Sequence, residues 1–156
     1  MKTIQEITNQ EPVYLLGWKH KVDVIGDFED ICLTYDEYIS EECPYNNQSY
    51  WLENKQMMDQ AVEQYQGINI LFASYGYKNY SGDAWVLFEQ NGKLFEVNGS
   101  HCSCYGLEGQ WEPEEVSLKE LEHRLIEGTM GEDDWSGNEF KKELCDFLGV
   151  KYIKNT

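Results

Sequence analysis

The residues best equipped for chemistry stand together in Gly99-Ser100-His101-Cys102-Ser103-Cys104-Tyr105-Gly106. Two thiols beside an imidazole supply the ligand types of a soft metal such as zinc, and equally a nucleophile with a neighbouring base. The spacing opposes both. Structural zinc sites pair C-x₂₋₄-C units, whereas C-x-C with an adjacent His needs a fourth ligand from Cys32, Cys43, His20 or His123, none at a diagnostic distance. In a strand, neighbouring side chains point to opposite faces, so His101 and Cys102 would diverge; Cys-His pairs are brought together by the fold instead. The preferred reading is thiols packed under a loop, with no catalytic residue, metal or cofactor assigned.

Carboxylates are the other abundant functional group. Pairs such as Glu114-Glu115 and the run Glu132-Asp133-Asp134 are numerous enough that a hydrolase-like separation would arise by chance. The run does not open an EF-hand loop, which needs alternating ligands and Gly at the sixth position. There is no P-loop, no G-x-G-x-x-G after a strand, no G-x-S-x-G and no H-E-x-x-H. The usual nucleotide-binding and hydrolase signatures are therefore missing, and the chain is expected not to be an enzyme.

What is distinctive is where the acids lie. From Asp23 to Glu53 there are nine acidic residues and no Lys or Arg, and a second base-free stretch carries Glu108, Glu112, Glu114 and Glu115. Aromatics are interleaved with both. Carboxylates beside aromatic rings suit a basic, Arg-rich groove through ion pairs and cation–π contacts. The expected partner-binding residues are Asp27, Glu29, Asp30, Tyr35, Asp36, Glu37, Tyr38, Glu41 and Glu42 in the first stretch, and Glu108, Trp111, Glu112, Glu114 and Glu115 in the second.

The elements that must position these residues are legible to different degrees. Val13 to Trp18, Val22 to Ile25 and Ile31 to Tyr35 read as short strands or a strand and a turn, with Gly17 and Gly26 as breakers. Tyr38 to Asn47 reads as a loop. From Ser49 to Gln66 the spacing of Tyr50, Trp51, Met57, Met58, Ala61, Val62 and Tyr65 predicts an amphipathic helix, stopped by Gly67. Three strand-like runs follow: Ile68 to Tyr77, Ala84 to Gln90 and Lys93 to Asn98. Asn91-Gly92 is the preferred type I′ turn dipeptide, and Asn79 to Asp83 reverses the preceding run, so a meander is expected. Ser117-Leu118-Lys119-Glu120 matches a capping box and starts a helix to Gly128. A second helix is expected from Gly137 to Leu148, ended by Gly149, with Val150 to Ile153 as an edge strand.

Together these elements predict an α+β fold, an antiparallel β-meander of about three to five strands packed with about three helices. A single domain over residues 1–156 is expected, with 1–47 less regular. The composition agrees. A chain of 156 residues with 41% hydrophobic residues, five Trp, eleven Tyr and six Phe has ample core material despite its charge of −17. That charge arises from 29 acids against eleven Lys and one Arg, and it repels nucleic acid and anionic membranes at long range. Five Cys in no symmetrical framework, no signal-like N-terminus and no long apolar run lead to the expectation of a reducing cytosol and no membrane role. Self-association through one apolar face is compatible with the many aromatics.

The segment from Gly99 through Tyr105-Gly106-Leu107-Glu108-Gly109-Gln110-Trp111-Glu112-Pro113-Glu114 resembles one carried by small acidic proteins of bacteriophages and mobile elements. The resemblance spans the meander through the first C-terminal helix and leaves the N-terminal third outside. Small acidic phage-borne proteins include inhibitors of host defence, among them anti-CRISPR and antirestriction proteins that occupy nucleic-acid channels. The resemblance thus implies an acidic inhibitor that binds the basic nucleic-acid channel of a host effector by nucleic-acid mimicry, without binding nucleic acid itself. Two alternatives stand beside it: an immunity or antitoxin-like protein masking a basic toxin, and a metal- or thiol-dependent enzyme centred on His101, Cys102 and Cys104.

Overall fold

The Asn91-Gly92 dipeptide turns the chain as its residue types require. Both residues have positive φ, 54° and 79°, and they join two ten-residue strands in register from Gln90 opposite Lys93 to Ser81 opposite Cys102. In this computed structural model, which describes residues 1–153, those strands are the centre of a five-stranded sheet. The last three positions of the expected 1–156 domain lie outside the described residues. The strands are β1 (Val13–Leu16), β2 (Asn69–Tyr75), β3 (Ser81–Gln90), β4 (Lys93–Cys102) and β5 (Glu114–Val116), arranged in that order across the sheet. The β2-β3-β4 meander is antiparallel as expected, β5 extends it on β4, and β1 adds to β2 in parallel.

A parallel neighbour demands a crossover, and the chain between β1 and β2 provides it through α2 (Lys21–Glu29), α3 (Tyr35–Ile39) and α4 (Gln48–Gln64). α1 (Ile4–Thr8), α5 (Leu118–Ile126) and α6 (Lys141–Leu148) pack on the opposite face of the sheet, with the small hairpin β6 (Glu132–Asp133) and β7 (Asn138–Glu139) preceding α6. The sheet is thus covered on both sides, which explains the unbroken buried run Ala84 to Phe88 in β3. Trp85 and Leu87 face the core under α5 and α6, whereas Ala84, Val86 and Phe88 face the core under α2. The α+β fold built around a meander is as the sequence predicts, with six helices among the described residues rather than about three.

Three local expectations are corrected. Val22 to Ile25 is not a strand but the first half of α2. The His20 Nδ1 accepts the Val22 N–H at 3.1 Å, and Asp23 reaches back to the N–H groups of Lys19 and His20 at 3.0 Å each. This reciprocal cap outweighs the β preference of Val and Ile. The helical period is masked because Val22 and Ile25 pack towards α4 while Val24 and Phe28 pack towards the sheet, so opposite sides of α2 are apolar. Gly26 is no breaker; a Cβ there would lie 3.1 Å from the Ile31 carbonyl, which lets the following chain fold back over the helix. Secondly, Ile31 to Tyr35 is no strand: Ile31 to Thr34 is irregular, and Thr34 opens α3 at Tyr35 with a full capping box to Glu37. Thirdly, Val150 to Ile153 forms no strand: Gly149 takes φ 75°, Val150 is buried, and its N–H returns to the Cys145 carbonyl. In α4 the buried stripe is Trp51, Asn54, Met58, Ala61 and, at its end, Tyr65, with Tyr50 and Met57 exposed.

Candidate functional site

β4 runs through His101 and Cys102 before the chain bends at Ser103 and Cys104, so the imidazole and the first thiol belong to a strand rather than a loop. His101 is 5% exposed, its ring stacked on Tyr75 at 4.2 Å between centroids and 7° between planes. Its Nε2 lies 2.7 Å from the Gly76 carbonyl oxygen. A carbonyl only accepts, so Nε2 carries the proton, and the ring ties the end of β4 to the end of β2. Cys102, next along the strand, lies partly open to solvent.

The loop that follows is pinned in place. Leu107 is 1% exposed, and a Cβ on Gly99 would lie 2.9 Å from its Cδ2, so the loop lies flat against β4. The Gln110 side chain clamps it, accepting the Ser100 N–H at 2.8 Å and donating at 2.8 Å each to the Ser100 and Gly106 carbonyls. Trp111 is then packed edge-on to Phe28 and Tyr65 and stacked on Phe88. These contacts account for the segment Gly99 to Trp111 as a built structural unit.

Between this loop and the C-terminal end of α2 lies an open groove of about 870 Å³. Its walls carry Asp23, Asp27, Asp30 and Glu37 on one side and Glu108 on the other, with Tyr75, His101, Cys102, Cys104 and Tyr105 between and Cys32 opposite. Among the described residues, no Lys or Arg lines it. The two base-free acidic stretches, far apart in sequence, therefore meet at one place.

The acids differ in what already engages them. Asp23 accepts the Tyr35 N–H at 2.8 Å in addition to its cap bonds, so it is a structural clamp. Asp27 accepts the Trp18 Nε1–H at 2.6 Å. Burial pushes its carboxyl above the usual range, Asp23 adds to this, and the Trp18 bond and His101 oppose it. Glu37 caps α3, and Glu108 accepts the Gly106 N–H at 3.2 Å. Asp30 ends α2 in the left-handed conformation, exposed, at the mouth of the groove.

The other expected contact residues are distributed elsewhere. Asp36, Glu41 and Glu42 are exposed but do not line the groove. Glu112, Glu114 and Glu115 are exposed on and before the edge strand β5, and Glu29 accepts the Tyr65 hydroxyl at 2.6 Å. The expected aromatics are engaged within the molecule: Tyr35 stacks on His20 at 3.7 Å, Tyr38 donates to Asp59, and Trp111 is half-buried against the core. The most exposed rings are Tyr105, which lines the groove, and Tyr77, Tyr80 and Trp135 on the β2–β3 and β6–β7 turns, 52%, 61%, 74% and 90% exposed. Tyr77 stacks outside His101 at 6.1 Å, and Lys78 binds Asp134 at 3.2 Å, which brings the β2–β3 and β6–β7 turns together. No sequence signal distinguished these rings, because exposure of an aromatic depends on which turn the tertiary fold leaves uncovered.

The chain matches no family model, curated protein or solved structure. The site is therefore read from its own chemistry. Among the described residues, no group of three or more His, Cys, Asp or Glu side chains is placed to hold a metal ion, and no helix is long and apolar enough to cross a membrane. What the groove offers is a concentration of negative charge with hydrogen-bond acceptors and an aromatic rim, which favours a cationic ligand.

Proposed function

We propose that the protein is an acidic inhibitor that uses this groove and its aromatic border to occupy the basic nucleic-acid channel of a host defence effector in the cytosol. The observation that carries the reading is the convergence of Asp27, Asp30 and Glu37 with Glu108 in a groove that no Lys or Arg lines among the described residues. Carboxylates stand in for phosphates against Lys and Arg, and exposed Tyr77, Tyr80, Tyr105 and Trp135 offer faces for guanidinium groups where bases would otherwise stack. The net charge of −17 adds long-range attraction towards a basic channel and repels nucleic acid itself.

The test uses purified effectors, a CRISPR nuclease and a restriction enzyme, with labelled nucleic acid bound. The protein is expected to displace the nucleic acid at low salt and to weaken as salt rises. Asp30→Lys combined with Glu108→Lys should reduce affinity by about tenfold or more, mainly through a slower on-rate. Displacement that ignores both salt and these reversals, or no displacement from either class of effector, would overturn the reading.

A further inference from the structure

The proposed inhibitor role leaves one feature of the groove unused, the thiols of Cys102 and Cys104. Had β4 continued straight, residues i and i+2 would share a face but stand roughly 6.6 Å apart along the strand, near the outer limit for a disulfide. The bend at Ser103 and Cys104 changes this. It folds Cys104 back so that its N–H donates to the Cys102 Sγ at 3.3 Å, while the Cys102 N–H bonds the Tyr105 carbonyl at 2.9 Å. The Cys104 N–H stabilises negative charge on that sulfur and is the largest influence holding the Cys102 thiol below the usual range. Gln110 and Leu107 keep the loop in this shape.

We propose that Cys102 and Cys104 form a redox dithiol that exchanges with positively charged disulfides. The Cys102 thiolate attacks one sulfur of the incoming disulfide, forming a mixed disulfide and releasing the first thiolate. Cys104 then gives its proton to that leaving thiolate or to solvent. Its sulfur attacks the Cys102 Sγ, closing a Cys102–Cys104 disulfide and releasing the second thiolate. The protein loses two electrons, and the external disulfide is reduced to two thiols. The substrate class follows from the walls: Asp27, Asp30, Glu37 and Glu108 attract a cationic disulfide to the sulfurs and repel an anionic one. The small ring closed by C-x-C is strained, and a strained, exposed disulfide is readily reduced again, so the exchange is reversible. This inference does not depend on which protein the groove binds.

The full-length reduced protein is incubated anaerobically with cystamine, a dication, or with oxidised glutathione, an anion, then alkylated and mapped by peptide mass spectrometry. With cystamine at low salt the expected product is a Cys102–Cys104 disulfide with two cysteamines released and Cys32, Cys43 and Cys145 alkylated. Cys104→Ser should trap cysteamine on Cys102, and Cys102→Ser should abolish fast exchange. Cystamine should react at least about tenfold faster than oxidised glutathione at about 0.01 M salt, with the gap closing near 1 M, where the Debye length falls to about 3 Å. Exchange that falls first on Cys32 or Cys43, a wild-type mixed disulfide as persistent as that of Cys104→Ser, or equal rates for the two disulfides would overturn the proposal. The wild-type map decides the site even if a variant folds poorly, and displacement of nucleic acid from an effector is not part of the readout.

Discussion

Glu96 shows how one buried charge is made tolerable. It is 5% exposed in β4, accepts the Trp85 Nε1–H at 2.9 Å, and pairs at 2.9 Å with Arg124, the only arginine in the chain. Removing a buried partner leaves the other groups unsatisfied, which costs more than the pair itself contributes. Glu96→Ala should therefore destabilise by about 2–3 kcal/mol, a figure held towards the low side because Arg124 retains solvent contact. Urea unfolding would measure it. The double variant with Arg124→Ala should lose less than the sum of the two single changes. A loss below about 1 kcal/mol would mean that water replaces these bonds without penalty.

The meander depends on two very different glycines. Gly92 sits in the hairpin turn with positive φ and no neighbour near its missing Cβ, so Gly92→Ala meets backbone strain alone, about 1–2 kcal/mol. At Gly82 the obstacle is contact: a Cβ would lie 2.1 Å from the Gly76 carbonyl oxygen and 2.9 Å from the His101 Nε2. The same carbonyl accepts the His101 bond, so Gly82→Ala must push β2, β3 and β4 apart where they reach the groove. It should cost about 1–3 kcal/mol and, unlike Gly92→Ala, move the His101 ring resonances in NMR spectra. Equal spectra for the two variants would show that the sheet end yields without disturbing His101. At this level the sequence was readable wherever the signal was local: the Asn91-Gly92 turn, the Gly67 and Gly149 stops and the Ser117 cap all stand where their chemistry puts them. α2 was misread as a strand because its two apolar sides erase the single stripe by which a helix is recognised.

Over the molecule as a whole, the aromatic content that makes a core possible at a net charge of −17 also sets its alkaline limit. Burial pushes the phenols of Tyr14 and Tyr75 up to about 12, with Asp23 and Asp27 respectively adding to the shift. In the unfolded chain these groups ionise near 10. Between pH 10 and about 12 the unfolded state therefore binds fewer protons than the folded state, and stability falls as pH rises through this window. Below pH 10 the contribution is fully present. Tyrosinate absorbance should show a late wave above pH 10, from Tyr14 and Tyr75, that coincides with loss of the folded circular dichroism signal. Complete titration near pH 10 with the fold intact would contradict this assignment.

The same division runs through the candidate site. Composition, spacing and turn chemistry by themselves determined an acidic α+β chain with a central meander, two acidic stretches and a thiol-rich segment leaving β4, because each follows from residues close in sequence. Only the tertiary structure decided that Asp30 and Glu108 face one groove, that Tyr35, Tyr38 and Trp111 are occupied within the molecule, and that Trp135 is exposed. The physical reason lies in long-range packing. A side chain becomes part of a site when distant elements leave a space beside it, and that space is set by the crossover through α2 and α4 and by the loop that Leu107 and Gln110 hold against β4.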